Sequence, residues 1–348
     1  MWKENLLETR VQNKTNHFAK FDASLSVTYL PEHLLQTLLS DPKILAVLKF
    51  EDRTETQSDD PRVVSVGLPQ LNDFPLIEVW RSDQPCVSAF RNNVYIAKNS
   101  EILFGYLHVD ENTHDDDIED STFSAYNQIL QLITHENYPH LQRMWNYFPK
   151  INFEQNHLER YKKFCLGRSR SFQMAKIANS DLPAASAVGT LADGFIIFFL
   201  AARTRGIQIE NPLQVSAYDY PSEYGPRSPS FARATLQKMK KQSNLYVSGT
   251  ASIVGHKSVH PNDIAGQFSQ TIENINTLLQ QAQGYCTSLP ADASELSLIK
   301  CYVRNPSDYD ALLKLATQRL GSQSEIVFLQ GDICRQELLL EIEAISYS

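Results

Sequence analysis

Two glutamates near the end of the chain, Glu341 and Glu343, interrupt the apolar run LLLEIEAI over 338–345. Strand alternation puts Leu340, Ile342 and Ala344 on one face and both acids on the other. Two readings follow. The acids line the solvent face of an amphipathic strand, or desolvation raises the pKa of one of them and suits it to donate a proton. A small anionic substrate would be met by arginine, whose planar fork pairs bidentately with a carboxylate. Arg168 closes the run KKFCLGR, Arg227 lies in GPRSPS and Arg233 in SFARAT. The competing role for each arginine is to cap a helix or bridge two modules.

Other reactive side chains point to less. The five cysteines, at 86, 165, 286, 301 and 334, are odd in number and form no CxxC pair. This predicts free thiols in a reducing, cytoplasmic setting. His256 and His260 stand four apart in GHKSVH, in a loop leading into Pro261 with no third ligand. The expectation is therefore no metal. Ser186 in AASAVG and Ser248 in VSG lie outside any GxSxG elbow.

These residues need elements to hold them. A chain of 348 residues suits two domains, and 42% hydrophobic with 21% charged residues is ordinary globular composition. The formal net charge of -8, with no basic block, argues against nucleic acid as partner. Any anion must then be met by locally placed arginines and not by the overall field. The N-terminal MWKENLLETRVQNK is polar and reads as no secretory signal. No apolar run reaches the ~18 residues of a membrane span, and GFIIFFLAA over 194–202 reads as a buried strand.

Patterning suggests two similar halves. The second reads LYVSGTASIVG as a strand and NDIAGQFSQTIENINTLLQQA as a helix. LSLIKCYVR follows as a strand, PSDYDALLKLATQRLG as a helix and ELLLEIEAI as a strand. In the long helix Ile264, Phe268, Ile272, Ile275, Leu278 and Leu279 fall on one stripe, with Asp263 as a start signal. The first half gives the same order through VYIAKNSEILFGYLHV, DSTFSAYNQILQLITHE, LQRMWNYFP, NHLERYKKFCLG and GFIIFFLAAR. The acidic stretches 51–62 and 109–120 read as mobile loops. The Tyr/Pro/Ser-rich stretch 205–230 reads as a connector with a functional role. The expected organisation is an N-terminal module over 1–205, a connector over 206–240 and a C-terminal module over 241–348, each a mixed sheet with helices on one face. Within the first 80 or so residues only a strand near Leu25 to Leu30 and a helix near Pro31 to Leu48 are read.

The C-terminal half resembles the RidA (YjgF) family in YVSG at 246–249, Asp263 with Gln267, ENI at 273–275 and LLLEIEAI at 338–345. That resemblance implies a chorismate-mutase-like α+β fold. RidA deaminases hold the substrate carboxylate with an arginine in the last-but-one strand, which EIVFLQGDICRQE lacks, and this argues against imine deamination. A longer series resembles the chorismatases: MWNYFPKIN (144–152), ERYKKFCLGR (159–168), NPLQVSAYDYPSEYGPRSPSFARAT (211–235), VSGTASIVGH (247–256) and DICRQELLLEIEA (332–344). It spans about residues 85–347. It implies two RidA-like modules in one chain, no metal and no organic cofactor, with chorismate as a small-molecule partner and a monomer or weak homo-oligomer.

The resemblance assigns roles. Chorismate is a dianion, and Arg168 and Arg233 become its two carboxylate clamps, aided by the hydroxyls of Tyr161 and Tyr220. Arg227 is a further substrate-binding candidate that would order the connector. Glu341, the first of the pair, becomes the acid that protonates the enolpyruvyl methylene and then faces the oxocarbenium ion. Attack by water would give a cyclohexadiene diol, and attack by the neighbouring ring hydroxyl would lead to 3-hydroxybenzoate. Gly249 in SGTAS and Cys334 in DICRQ match the hydroxybenzoate formers, with the glycine expected to leave room for the ether side chain and the thiol to act as a weak acid or polar wall. The resemblance also takes in members that release 4-hydroxybenzoate and members that use an amino analogue, as in 3-aminobenzoate formation. The alternative of another class is a non-catalytic RidA-like protein that binds a small molecule.

Overall fold

The computed structural model describes residues 24–52, 60–109, 117–320 and 324–348. Most of the two acidic loops, at 53–59 and 110–116, and the polar N-terminal segment lie outside these residues.

Among the described residues three sheets have four strands or more, beside two short two-stranded ribbons. The first joins β1 (Leu25–Pro31), β2 (Ile44–Phe50), β3 (Val63–Val66) and β4 (Leu76–Ser82) in the order β1-β4-β2-β3. The second has six strands: β5 (Val87–Arg91), β6 (Val94–Lys98), β7 (Ile102–Val109), β8 (His140–Pro149), β9 (Ala184–Thr190) and β10 (Phe195–Ala202), ordered β9-β8-β10-β7-β6-β5. The third also has six: β11 (Ile207–Ile209), β12 (Ala234–Lys238), β13 (Ser243–Thr250), β14 (Leu298–Val303), β15 (Glu325–Gln330) and β16 (Leu340–Tyr347), ordered β11-β12-β13-β16-β14-β15. Helices α1 (Ile118–His135) and α2 (Arg160–Met174) belong to the second sheet, α3 (Ile264–Gln283) and α4 (Tyr309–Leu320) to the third.

The two large sheets have one topology, as the repeated pattern predicts. In each, a long helix follows the third strand, and a second helix crosses over between the two parallel strands, β8 with β9 and β14 with β15. The α3 stripe is realised: Phe268, Ile272, Ile275, Leu278 and Leu279 are buried against the outward face of the third sheet, and the Asp263 side chain caps the helix by accepting from the Gly266 N–H.

The N-terminal sheet was not anticipated. Its order and strand directions match β7 to β10 of the second sheet and β13 to β16 of the third, so residues 25–82 form a third, smaller copy that, among the described residues, has no counterpart of the outer hairpin strands. Helix is confined to Glu32–Leu34 and Leu35–Leu38, and Ile44–Phe50, most of it placed in the expected helix, is a strand. Asp41-Pro42 stops the helix. The run Ile44–Leu48 is wholly buried between β4 and β3, where a short apolar run carries no period to separate strand from helix.

The inward faces of all three sheets meet in one core containing Trp80, Phe104, Trp145, Phe198, Tyr246 and Tyr302. The outward faces of the two large sheets pack under their own helices. Among the described residues no helix is long and apolar enough to cross a membrane.

Candidate active site

Edge strand β9 of the second sheet lies beside β13 of the third, and this seam is pinned at both ends. Ala184 bridges Ala232 and Gly189 bridges Asp332, while the Ala185 N–H donates to Ser248 Oγ at 2.9 Å. A cavity of about 240 Å³ opens along the seam. Its floor is β9, β13 and β16, its walls are α2 and the loop after β15, and its roof is the Tyr/Pro connector.

Seven of the eight site residues named from sequence line this cavity: Tyr161, Arg168, Tyr220, Arg233, Gly249, Cys334 and Glu341. Arg227 does not. It is exposed on the outer side of the connector, where the turn between Pro226 and Pro229 brings Tyr224 and Phe231 inward and leaves the guanidinium in solvent.

The two glutamates of β16 are both buried, which removes the solvent-face reading. Their inward face meets the other sheets, and they fare differently there. Glu343 accepts from Arg143 Nη2 at 2.7 Å, Ser186 Oγ at 2.6 Å and Trp145 Nε1 at 2.8 Å, and Lys300 Nζ stands 3.1 Å away. Burial pushes its pKa up, but Lys300, then Arg143 and the Ser186 and Trp145 hydrogen bonds outweigh this and hold it at about 2. No described residue donates a hydrogen bond to Glu341. Burial first, and the Glu343 charge second, raise its pKa to about 8 against the weaker pull of Arg143 and Arg233. At neutral pH the pair is thus one carboxylate and one carboxylic acid, the separation of roles expected of an acid catalyst beside a fixed charge.

The two buried arginines of the cavity have no carboxylate within ion-pair distance among the described residues. Arg168, on α2, stacks on Phe164 at 4.8 Å, and its Nε is buried without a partner. Arg233 donates to Tyr220 Oη at 2.7 Å and to the Val215 carbonyl at 2.9 Å, and its Nε also lacks a partner. Buried guanidinium groups left with spare donors are costly unless an anion completes them. Arg233 is close enough to draw the Glu341 pKa down, whereas Arg168 sits with Tyr161, Cys165 and Tyr126. The cavity therefore has two cationic ends, one of them beside the acid.

Gly249 has a different neighbour from the one expected. A Cβ there would lie 1.9 Å from Glu341 Oε1 and 3.1 Å from Ser186 Oγ. The missing side chain makes room for the acid itself before it makes room for any ether. Cys334 shares the end near Tyr161, and burial, with the Glu341 charge adding to it, pushes its thiol up to about 12. It is a neutral, weakly polar wall at physiological pH and not a thiolate nucleophile. Arg304 holds the loop that carries it, donating to Asp332 Oδ1 at 2.6 Å and to the Ile333, Arg335 and Leu338 carbonyls.

Some residues at the site were set aside or not found from sequence. Ser186 does not act as a free nucleophile. Its hydroxyl donates to Glu343 while Oγ accepts from Arg143 at 2.6 Å and from the Gly249 N–H at 3.0 Å. Arg143, Lys300 and Glu78 form the ionic lining behind it, with Lys300 Nζ 2.9 Å from Glu78 Oε2. The signal was present as lone charges inside strands that read as buried: LQRMW, LIKCYV and LIEVW. Arg335 lies over the Tyr224 ring at 4.0 Å and donates to the His256 carbonyl, and His256 Nδ1 pairs with Tyr224 Oη at 3.1 Å.

Comparison with known proteins places this cavity in context. The family model described as "Chorismatase FkbO/Hyg5-like, N-terminal" matches residues 78–201. A protein named chorismatase from Streptomyces hygroscopicus is 34% identical over 278 residues, 79% of this chain and 80% of its own. A 3-hydroxybenzoate synthase from the same organism is 33% identical over 279 residues, 78% of this chain and 81% of its own. A chorismatase crystal structure superposes with a TM-score of 0.85 at 30% identity, covering 92% of this chain and 98% of the other.

Proposed function

This chain belongs to the chorismatase family, and on that premise we propose that it converts chorismate into 3-hydroxybenzoate and pyruvate. The observation that carries the reading is a buried carboxyl, Glu341, held as an acid at neutral pH in a cavity with two guanidinium groups that have no carboxylate partner among the described residues. The need of a dianion for two separated clamps fits this charge arrangement.

The position of the acid orients the substrate. Glu341 must reach the terminal methylene of the enolpyruvyl ether, and the side-chain carboxylate is attached to the next carbon. The clamp beside Glu341 is Arg233, so Arg233 with Tyr220 takes the enolpyruvyl carboxylate, and Arg168 with Tyr161 takes the ring carboxylate. Glu341 gives its proton to the methylene carbon. The oxocarbenium ion that forms is faced by the new carboxylate. The oxygen of the neighbouring ring hydroxyl then bonds to the ring carbon that carries the ether, the bond from that carbon to the ether oxygen breaks, and the side chain leaves as pyruvate with that oxygen. The arene oxide so formed opens at its other carbon, moves one ring hydrogen to oxygen and becomes the aromatic phenol. The proton lost by that hydroxyl replaces the one Glu341 gave. All atoms of chorismate are recovered in the two products, with no water consumed. Water attack would add one water and yield the diene diol. The relative named 3-hydroxybenzoate synthase and the Gly249/Cys334 pair support the aromatic product.

Closure of three sheets around one core within a single chain supports a monomer or weak homo-oligomer. Free thiols at all five cysteines support a reducing, cytoplasmic setting. The test is incubation with chorismate, chromatography of the aromatic products and a pyruvate assay. Equal pyruvate and 3-hydroxybenzoate are expected, with any 4-hydroxybenzoate marking a bifunctional enzyme. Pyruvate with diene diol would overturn the product. No pyruvate from chorismate or its amino analogue would overturn the activity and leave the binding-protein alternative.

A further inference from the structure

We propose that Glu343 is a positioning residue that keeps Glu341 in its acid form, and that Ser186 ties the two together. This rests on the reading of Glu341 as the proton donor. Glu343 is one of four buried charged groups contributed by all three sheets. Glu78 comes from β4, Arg143 from β8, Lys300 from β14 and Glu343 from β16. Trp80 Nε1 donates to Glu78 at 2.8 Å and Trp145 Nε1 to Glu343 at 2.8 Å, so each carboxylate takes an indole N–H as well as a cation. Two acids and two bases sum to zero. Lys300 and Arg143 are thereby already neutralised, and a fifth charge on Glu341 would find no spare cation in this network and the anion of Glu343 beside it.

The groups facing Glu341 come from several elements. They are Glu343 on its own strand, Arg143 from β8, Ser186 from β9, Arg233 from the segment before β12 and Cys334 from the loop after β15. Tyr302 is its cross-strand neighbour on β14, with the hydroxyl taken up by Tyr147. Arg233 is the one cation in this set outside the four-charge network, and it belongs to the substrate clamp. Ser186 is the mechanical link. Its Oγ holds the Gly249 N–H and Arg143 while its proton goes to Glu343, and it shares with Glu341 Oε1 the space that Gly249 leaves empty. The same serine thus fixes the anion and the strand against which the acid rests.

A merely structural role would lower the rate without moving its pH dependence. The expected wild-type kcat is full below the Glu341 pKa and falls as pH rises through about 8. Glu343→Gln removes an anion next to Glu341, makes its ionisation easier and should move that fall at least about one pH unit down. Glu343→Asp should restore it. Arg143→Met removes the network cation that draws the Glu341 pKa down, makes ionisation harder and should move the fall up. The opposite shifts are the signature, and Arg143→Met keeps the test decisive if Glu343→Gln does not fold. Glu341→Gln is measured alongside. If it is inactive and the midpoint is unchanged in both other variants, the positioning role is overturned and the proton donor stands. If Glu341→Gln keeps turnover, the reading beneath the proposal falls as well.

Discussion

β10 and β16 hold the same place in two sheets of one topology, each antiparallel to both neighbours. β10 reads FIIFFLAA and is buried from end to end, and β16 reads LEIEAISY and is buried up to Tyr347. On the inward face of β10, Ile196, Phe198 and Leu200 join the shared aromatic core, with Phe198 5.5 Å from Trp145. On the inward face of β16 stand Glu341 and Glu343. The comparison teaches that the sheet supplies a dry template and that chemistry depends on how a charge is met there. A buried carboxyl must be paired or neutral. Glu343 is paired, Glu341 is neutral, and the neutral one is left with a proton to give.

The sharpest way to break this comparison is to remove the unpaired acid. Glu341→Gln should fold normally and bind chorismate, with kcat lowered by about 10²–10⁴-fold, the usual worth of a general acid. Steady-state pyruvate release checks it. A second variant asks whether β10 could host an acid. Phe198→Glu places a carboxyl in the core without the cations that β16 enjoys, and a stability loss of about 4 kcal/mol or more is expected in denaturant titration. A smaller loss would mean that the core is wetter than its packing implies. Arg168→Ala and Arg233→Ala should each weaken transition-state binding by about 2–5 kcal/mol, read from kcat/KM. Because Arg233 lies beside the acid, its loss should also lower kcat, whereas loss of Arg168 should fall mostly on KM. Gly249→Ala should cost about 10²-fold or less in kcat by pushing the Glu341 carboxyl aside. A change of product with an unchanged rate would return Gly249 to the role of making room for substrate.

Much of this was legible in the sequence for local reasons. The α3 stripe, the apolar β10 and the alternation of β16 are periodic signals within one segment. The clustering of Tyr161, Arg168, Tyr220, Arg233, Gly249, Cys334 and Glu341 came through the family resemblance. Two things were not legible. The N-terminal sheet was missed because Ile44–Leu48 is buried on both faces and so carries no alternation, and because only a helical turn stands where the larger sheets have a long helix. The ionic network was missed because its partners are far apart in the chain, Arg143 and Glu343 by 200 positions. Each charge alone looks like an anomaly in a buried strand, and only the meeting of three sheets shows that they cancel.

The central claim is that Glu341 is a protonated carboxyl in the resting enzyme at neutral pH. Difference infrared spectroscopy of the wild type against Glu341→Gln, recorded across pH, tests it most directly. The account predicts a protonated-carboxyl band at pH 7 that the substitution deletes and that fades as pH rises through about 8. A spectrum showing Glu341 already ionised at pH 7 would contradict it.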